Sequence, residues 1–150
     1  MNYFLMKSEP EVYSIDDLEK EGECFWEGVR SYAARKNLLN MEIGDKIIFY
    51  HSRTKPTGAA GVAQVIKKAY PDFTAWDPDS EYFDKKTDKN NPRWYMVDIK
   101  FIKKFQNYVT IDVLKKESKL KDMVLFRESR LSVQALTESQ FKIICQIGNL

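Results

Sequence analysis

The sequence predicts an α+β domain built around a partly closed β-barrel. Three observations lead there. At least five runs of apolar or alternating β-type residues recur along 150 residues, the helical stretches are short and segregated from them, and no glycine-rich turn joins a strand to a helix. The last point argues against dinucleotide and P-loop folds, which need that turn for phosphate. The length suits one domain over residues 1–150, with a core that needs no staples.

The first strand is expected near residues 2–7 and closes at Ser8-Glu9-Pro10, because Pro10 cannot donate to a ladder. Ser14 then opens a helix, with Asp17 at the capping-box position, and Gly22 ends it. Ser31 to Leu39 reads as a second helix, since Tyr32, Arg35 and Leu39 share a face. After the Gly44-Asp45 turn, strands are expected near 45–51 and 60–69, with Gly61 a bulge or close-approach site. The stretch from Tyr70 to Pro92 holds Pro71, Pro78 and Pro92 and no sustained period, so it is expected to be a long irregular loop of the functional kind. A strand near 95–104 follows, then a short helix from Thr110 to Lys116 and a strand near 130–135. Thr137 with Gln140 forms a second capping box and opens the last helix, to about Cys145.

Composition narrows the function classes. Hydrophobic residues make up 43%, aromatics 13% and charged residues 31% of the chain, so disorder is excluded. No apolar run approaches the length of a bilayer span, and the opening residues read as a strand rather than a leader, so no membrane partner and a cytoplasmic location are expected. Cys24 and Cys145 lie far apart and His51 is the one histidine, so neither a disulfide nor a bound metal is expected. The net charge of +2 is uneven: residues 9–23 carry seven acids against Lys20, and the rest of the chain is basic. A basic body permits contact with a phosphate backbone, and equally a plain solvated surface.

Three constellations bear on chemistry. Cys24, Cys145, Ser8 or Ser52 with His51 would supply a nucleophile and base, although no nucleophile elbow surrounds either serine and Cys145 reads as a core thiol. The acids between Glu9 and Glu23 single out no catalytic pair and read as a capped, solvated helix. The aromatics are more informative. Trp26, Trp76 and Trp94 stand in or beside loops with Lys and Arg near, a pattern suited to stacking on nucleobases as well as to core filling. Trp26 lies between Gly22 and Gly28, where a purely core tryptophan is less expected.

Several segments then act together: Tyr3-Phe4-Leu5-Met6-Lys7-Ser8-Glu9-Pro10, Trp26-Glu27-Gly28-Val29-Arg30-Ser31-Tyr32-Ala33-Ala34-Arg35, Phe49-Tyr50-His51-Ser52, Ala69-Tyr70-Pro71-Asp72, Pro92-Arg93-Trp94 and Arg130-Leu131-Ser132-Val133-Gln134. In this order, over about residues 2–146, they closely resemble the EVE domain family. The resemblance implies a PUA-like bent β-barrel with helices packed around it. It implies a non-catalytic module that reads a modified nucleobase, flipped out of DNA or RNA into an aromatic-walled pocket. It implies Lys7, Ser8, Glu9, Trp26, His51, Ser52, Ser132 and Gln134 around the base, with Arg30, Arg35 and Lys36 at the phosphates. No cofactor is implied, and a monomer is expected. Two positions depart from the family pattern, which commonly has Asn at Ser31 and Pro at Ala135. The absence of a basic extension before the domain suggests a small prokaryotic member. The alternatives are an enzyme acting on a base or nucleotide through Glu9 and His51, or an adaptor that binds a small molecule or a protein in the same pocket.

Overall fold

In the computed structural model, which describes residues 1–150, six strands form one mixed sheet. They are β1 (Tyr3–Ser8), β2 (Glu23–Phe25), β3 (Lys46–His51), β4 (Gly58–Pro71), β5 (Tyr95–Thr110) and β6 (Val133–Leu136). Their order is β2-β5-β4-β3-β1-β6. β1 and β3 run parallel and every other pair is antiparallel. Five helices surround the sheet: α1 (Ile15–Glu21), α2 (Tyr32–Leu39), α3 (Ile111–Lys116), α4 (Val124–Arg127) and α5 (Glu138–Ile147).

The sheet curls but does not close, since β2 and β6 remain opposite edges. This is the expected bent, partly closed barrel in an open form. The curl comes from the long β4–β5 ladder, whose register shifts four times between Ala59 and Tyr70; each irregularity bends the strand and adds twist. Gly61 lies in this ladder. A Cβ there would sit 2.5 Å from the carbonyl of Lys103 and 2.9 Å from Ile15, so the expected close approach at Gly61 is real.

Strand alternation divides the interior in two. Phe4, Met6, Ile47 and Phe49 point to one face, where they join a 17-residue cluster that includes Trp26. Leu5, Ile48 and Tyr50 point to the other, a 14-residue cluster that includes Ile144 and Cys145 of α5. Cys24 and Cys145 are free thiols.

Both expected capping boxes form, at Ser14 with Asp17 and at Thr137 with Gln140. Ser31 caps α2 by accepting from the Ala34 N–H at 3.3 Å. Three features carry no signal in the sequence. β2 is only three residues long; β5 continues past Lys104 to Thr110 as a mostly exposed ribbon; and α4 is a single turn. The 70–92 stretch is irregular as expected, apart from the end of β4 and a 3₁₀ turn over Phe73–Trp76. No helix is long and apolar enough to cross a membrane.

Candidate functional site

The site begins where β2 ends. Trp26 continues the sheet edge by one bond, its N–H donating to the Val97 carbonyl at 2.8 Å. The chain then turns at Gly28, whose φ of +86° suits glycine and whose missing Cβ leaves room for the Tyr82 ring. A Cβ at Gly28 would lie 2.6 Å from Tyr82 Cε1.

Asp72, fully buried at the end of β4, locks this turn in place. Its carboxylate accepts from the Gly28 N–H, from Arg30 Nη1 and from the Thr74 N–H, each at 2.9 Å, and also from the Thr74 hydroxyl. Its own N–H donates to the Trp94 carbonyl at 2.8 Å. Arg30 carries the lock onward. Its Nη2 and Nε donate to the Tyr82 carbonyl at 2.7 and 3.1 Å. A buried carboxylate is tolerated because both of its oxygens meet donors and one of them meets a cation. The long 70–92 loop is thereby fastened over the Trp26–Gly28 turn.

The result is a cavity of about 1100 Å³ between the two edges of the curled sheet. One wall comes from the β2 edge: Glu23, Cys24, Phe25, Trp26 and Glu27. The other comes from the ends of β1 and β3 and the approach to β6: Lys7, Ser8, Glu9, Ser52, Arg53, Arg130 and Ser132. Tyr13 from the start of α1 and Tyr82 from the loop complete it. Trp26 is 8% exposed and meets Phe49 of β3 edge-on at 5.5 Å, so it is core packing and cavity wall at once.

Lys7, Ser8, Glu9, Trp26, Ser52 and Ser132 therefore converge on the cavity, as expected of a shared pocket. Lys7 Nζ donates to the Ser129 carbonyl at 2.6 Å, and burial lowers its pKa. The Ser8 hydroxyl donates to the Tyr13 carbonyl at 2.6 Å. Two expected residues lie elsewhere. His51 is not in the lining; its Nε2 accepts from the Ile15 N–H at 3.1 Å and so starts α1. Gln134 is wholly buried and also outside the lining, its amide donating to the Leu131 carbonyl at 2.9 Å.

The three expected phosphate contacts separate as well. Arg30 is an internal brace, with its guanidinium committed to Asp72 and Tyr82. Arg35 lies over the Tyr32 ring at 4.7 Å and donates to the Arg93 carbonyl at 2.8 Å. Lys36 is exposed. Asp72, Tyr82 and Glu27 carry more of the site than their place in the sequence signals. Asp72 and Glu27 lie in the family-like segments without an expected role, and Tyr82 reaches the site only through the loop.

The titratable groups argue against a poised nucleophile. Burial pushes the Cys24 thiol up to about 11, with neighbouring carboxylates adding to it. Burial alone takes Cys145 to about 11. Both stay protonated at neutral pH. Burial lowers the His51 pKa, which keeps the ring neutral and able to accept from Ile15. Glu27 is the exception on the cavity wall. Burial first, then the charges of Asp72 and Glu81, raise its pKa against the pull of Arg30.

The profile of the EVE domain matches residues 2–147. The chain belongs to the EVE domain family. Human thymocyte nuclear protein 1 is 36% identical over 166 residues, covering 97% of this chain and 73% of that protein. Among solved structures, a hypothetical protein from Leishmania major aligns with a TM-score of 0.97 at 47% identity, covering 99% of this chain and 95% of that one. Human THYN1 protein, in a crystal structure with 5-methylcytosine containing DNA, aligns at 0.95 with 35% identity, covering 100% of this chain and 99% of that one. The Mmi1 YTH domain aligns at 0.56 with 16% identity, a likeness of fold alone. The EVE domain described here thus has the PUA-like fold that the resemblance implied, with an open sheet.

Proposed function

We propose that this EVE domain is a non-catalytic reader of DNA, which takes a modified base out of the helix and into the cavity beside Trp26. The observation that carries this reading is the cavity itself. It is large enough for a nucleotide, walled by an indole, and rimmed by short hydroxyls and cations. The relative in complex with 5-methylcytosine containing DNA supports the same ligand class, since the two chains align over their whole length.

The energetics are workable. Extracting a base costs a few kcal/mol, and stacking on one aromatic face returns about 1–3 kcal/mol. Ser8, Ser52, Ser132 and backbone groups at the end of β1 offer hydrogen bonds to the base edge, while Lys36 and the outer edge of Arg35 hold flanking phosphates. A single buried methyl is worth only about 0.8 kcal/mol, roughly fourfold in affinity. Discrimination beyond that requires shape and hydrogen bonding. Catalysis is disfavoured because neither thiol is ionised and His51 is occupied at the start of α1. The two thiols sit in separate cores, which suits a reducing cytosol.

The test is a titration of oligonucleotides, DNA and RNA, carrying a panel of modified bases, with product analysis of the same mixtures. Saturable binding selective for a modified base in DNA, without product, is the expected result. Product formation would make the protein an enzyme acting on the base. Selective binding confined to RNA would move the reader to RNA. Neither binding nor product would leave the cavity to a small molecule or a protein segment.

A further inference from the structure

The cavity is electrically lopsided. Lys7, Arg53 and Arg130 line the wall built from β1, β3 and the approach to β6, with Glu9 as its one carboxylate, whereas the β2 wall and the loop beside it present carboxylates alone. Of the cavity's five glutamates, Glu9, Glu21, Glu23 and Glu81 are exposed to solvent, and Glu27 alone is half-buried. It directly follows Trp26 and takes part in none of the protein's ion pairs. The nearby cation, Arg30, is committed to Asp72 and to the Tyr82 carbonyl. A half-buried carboxylate without a partner is an unfavourable arrangement for the empty protein. It becomes favourable when a donor enters the cavity.

We infer that Glu27 sets the base class of the cavity, accepting a hydrogen bond from the exocyclic amine of the flipped base. This rests on the base-reading function proposed above. A carboxylate is acceptor-only. Opposite the 4-amino group of a cytosine it gains a charge-assisted bond, the pairing by which acidic side chains recognise cytosine. Opposite the 4-oxo group of thymine or uracil, two acceptors face each other, and the carboxylate stays unpaired. The cavity therefore takes a 4-amino pyrimidine and rejects its 4-oxo counterpart. Burial first, and then the charges of Asp72 and Glu81, raise the Glu27 pKa, so a donor that reaches it relieves an unfavourable charge.

5-Methylcytosine and thymine make a direct test, because both carry the 5-methyl group and differ at the edge Glu27 would meet. Two duplexes are prepared, identical except for 5-methylcytosine or thymine at one central position, each opposite an abasic site so that neither has a base pair to break. Dissociation constants are measured for the wild type, Glu27→Gln and Trp26→Leu, with thermal melting to confirm that each variant is folded. The wild type should prefer 5-methylcytosine by about 5- to 150-fold. Glu27→Gln, whose amide donates as readily as it accepts, should bring the preference below about threefold, mainly by improving thymine binding or weakening 5-methylcytosine binding. Trp26→Leu should weaken both duplexes while keeping the preference. Equal wild-type affinities, or a preference that survives in folded Glu27→Gln, would overturn the role of Glu27 and leave the base-reading function standing if Trp26→Leu still weakens binding. Affinities indifferent to Trp26→Leu would overturn the base-reading function itself.

Discussion

Trp26 and Trp94 are both almost buried, at 8% and 6% exposed, and both lie beside the same loop, yet their surroundings differ in kind. Trp94 is satisfied on every side. Tyr32 stacks on its ring at 5.1 Å, its indole N–H donates to Asp84 at 2.8 Å, and Arg30 lies 5.8 Å from its ring. Trp26 meets Phe49 edge-on and turns toward the cavity. The neighbouring carboxylates follow suit. Asp84 is held below the usual carboxylate range by the Trp94 N–H first and then by the Lys86 backbone N–H. Glu27 is pushed up by burial. One tryptophan fastens the loop, and the other lines the cavity. Asp72 joins them, with its backbone on Trp94 and its carboxylate on the Gly28 turn.

The largest effect is expected at that joint. Asp72→Ala removes the carboxylate of the half-buried Arg30 and orphans the Gly28 and Thr74 donors, so it should cost about 5 kcal/mol, the upper end for breaking a buried pair. Denaturant unfolding checks this, and a loss under about 1 kcal/mol would mean that Asp72 holds neither region. Next come the tryptophans themselves. Trp26→Ala and Trp94→Ala should each lose about 3–5 kcal/mol of stability as core truncations. Only Trp26→Ala should also lose about 1–3 kcal/mol of DNA binding in its folded fraction. Equal binding losses would erase the distinction between them.

Much of this was legible beforehand, and what was not has a physical reason. The caps of α1 and α5 are local, so Ser14 and Thr137 announced them, whereas Ser31, read as the first residue of α2, is its cap. β2 escaped notice because three residues carry no period, and the far half of β5 because Lys103, Lys104, Gln106 and Asn107 dilute its alternation. The cavity residues Ser8, Trp26, Ser52 and Ser132 were expected from motif order. That His51 and Gln134 stand apart from them depends on which face of β3 and β6 the curl turns inward. Trp26 looked like a loop tryptophan free of the core, whereas the curl carries it onto Phe49. Asp72 and Tyr82 lie 44 or more residues from the Gly28 turn they secure, and no local pattern connects such distant residues.

Smaller effects sharpen the contrast. α2 belongs to the Trp94 side through Tyr32, and Lys36 is its exposed cation. Lys36→Ala should weaken every oligonucleotide alike and lower the salt slope of binding by about one counterion. A loss confined to one modified base would place Lys36 on the reading side. The smallest effect separates the two carboxylates by the sign of their pH dependence. Glu27 has a raised folded pKa, so the folded state gains stability as pH falls through that value, and the gain is complete below the ordinary 4.5. Asp84 has a lowered folded pKa, so its contribution is present above the ordinary 3.8 and is lost as pH falls through the lowered value. Near neutral pH, Glu27→Gln should therefore raise stability by a few tenths of a kcal/mol, discounted for partial exposure, while Asp84→Asn should lower it. At about pH 4 the first difference should have vanished and part of the second should remain. Thermal melts at the two pH values decide this, and shifts of the same sign in both variants would contradict the assignment.

A base seated in the cavity is detected most directly by what Trp26 does when DNA arrives. The protein has three tryptophans, and their indole N–H signals can be followed by two-dimensional NMR as a duplex containing one 5-methylcytosine is added. A base seated beside Trp26 should give a large, saturable shift of the Trp26 indole signal that follows the bound fraction, with the Trp94 signal nearly still because Asp84 and Tyr32 hold it. DNA binding that leaves the Trp26 signal unmoved, or that moves Trp94 as far, would contradict a base seated beside Trp26.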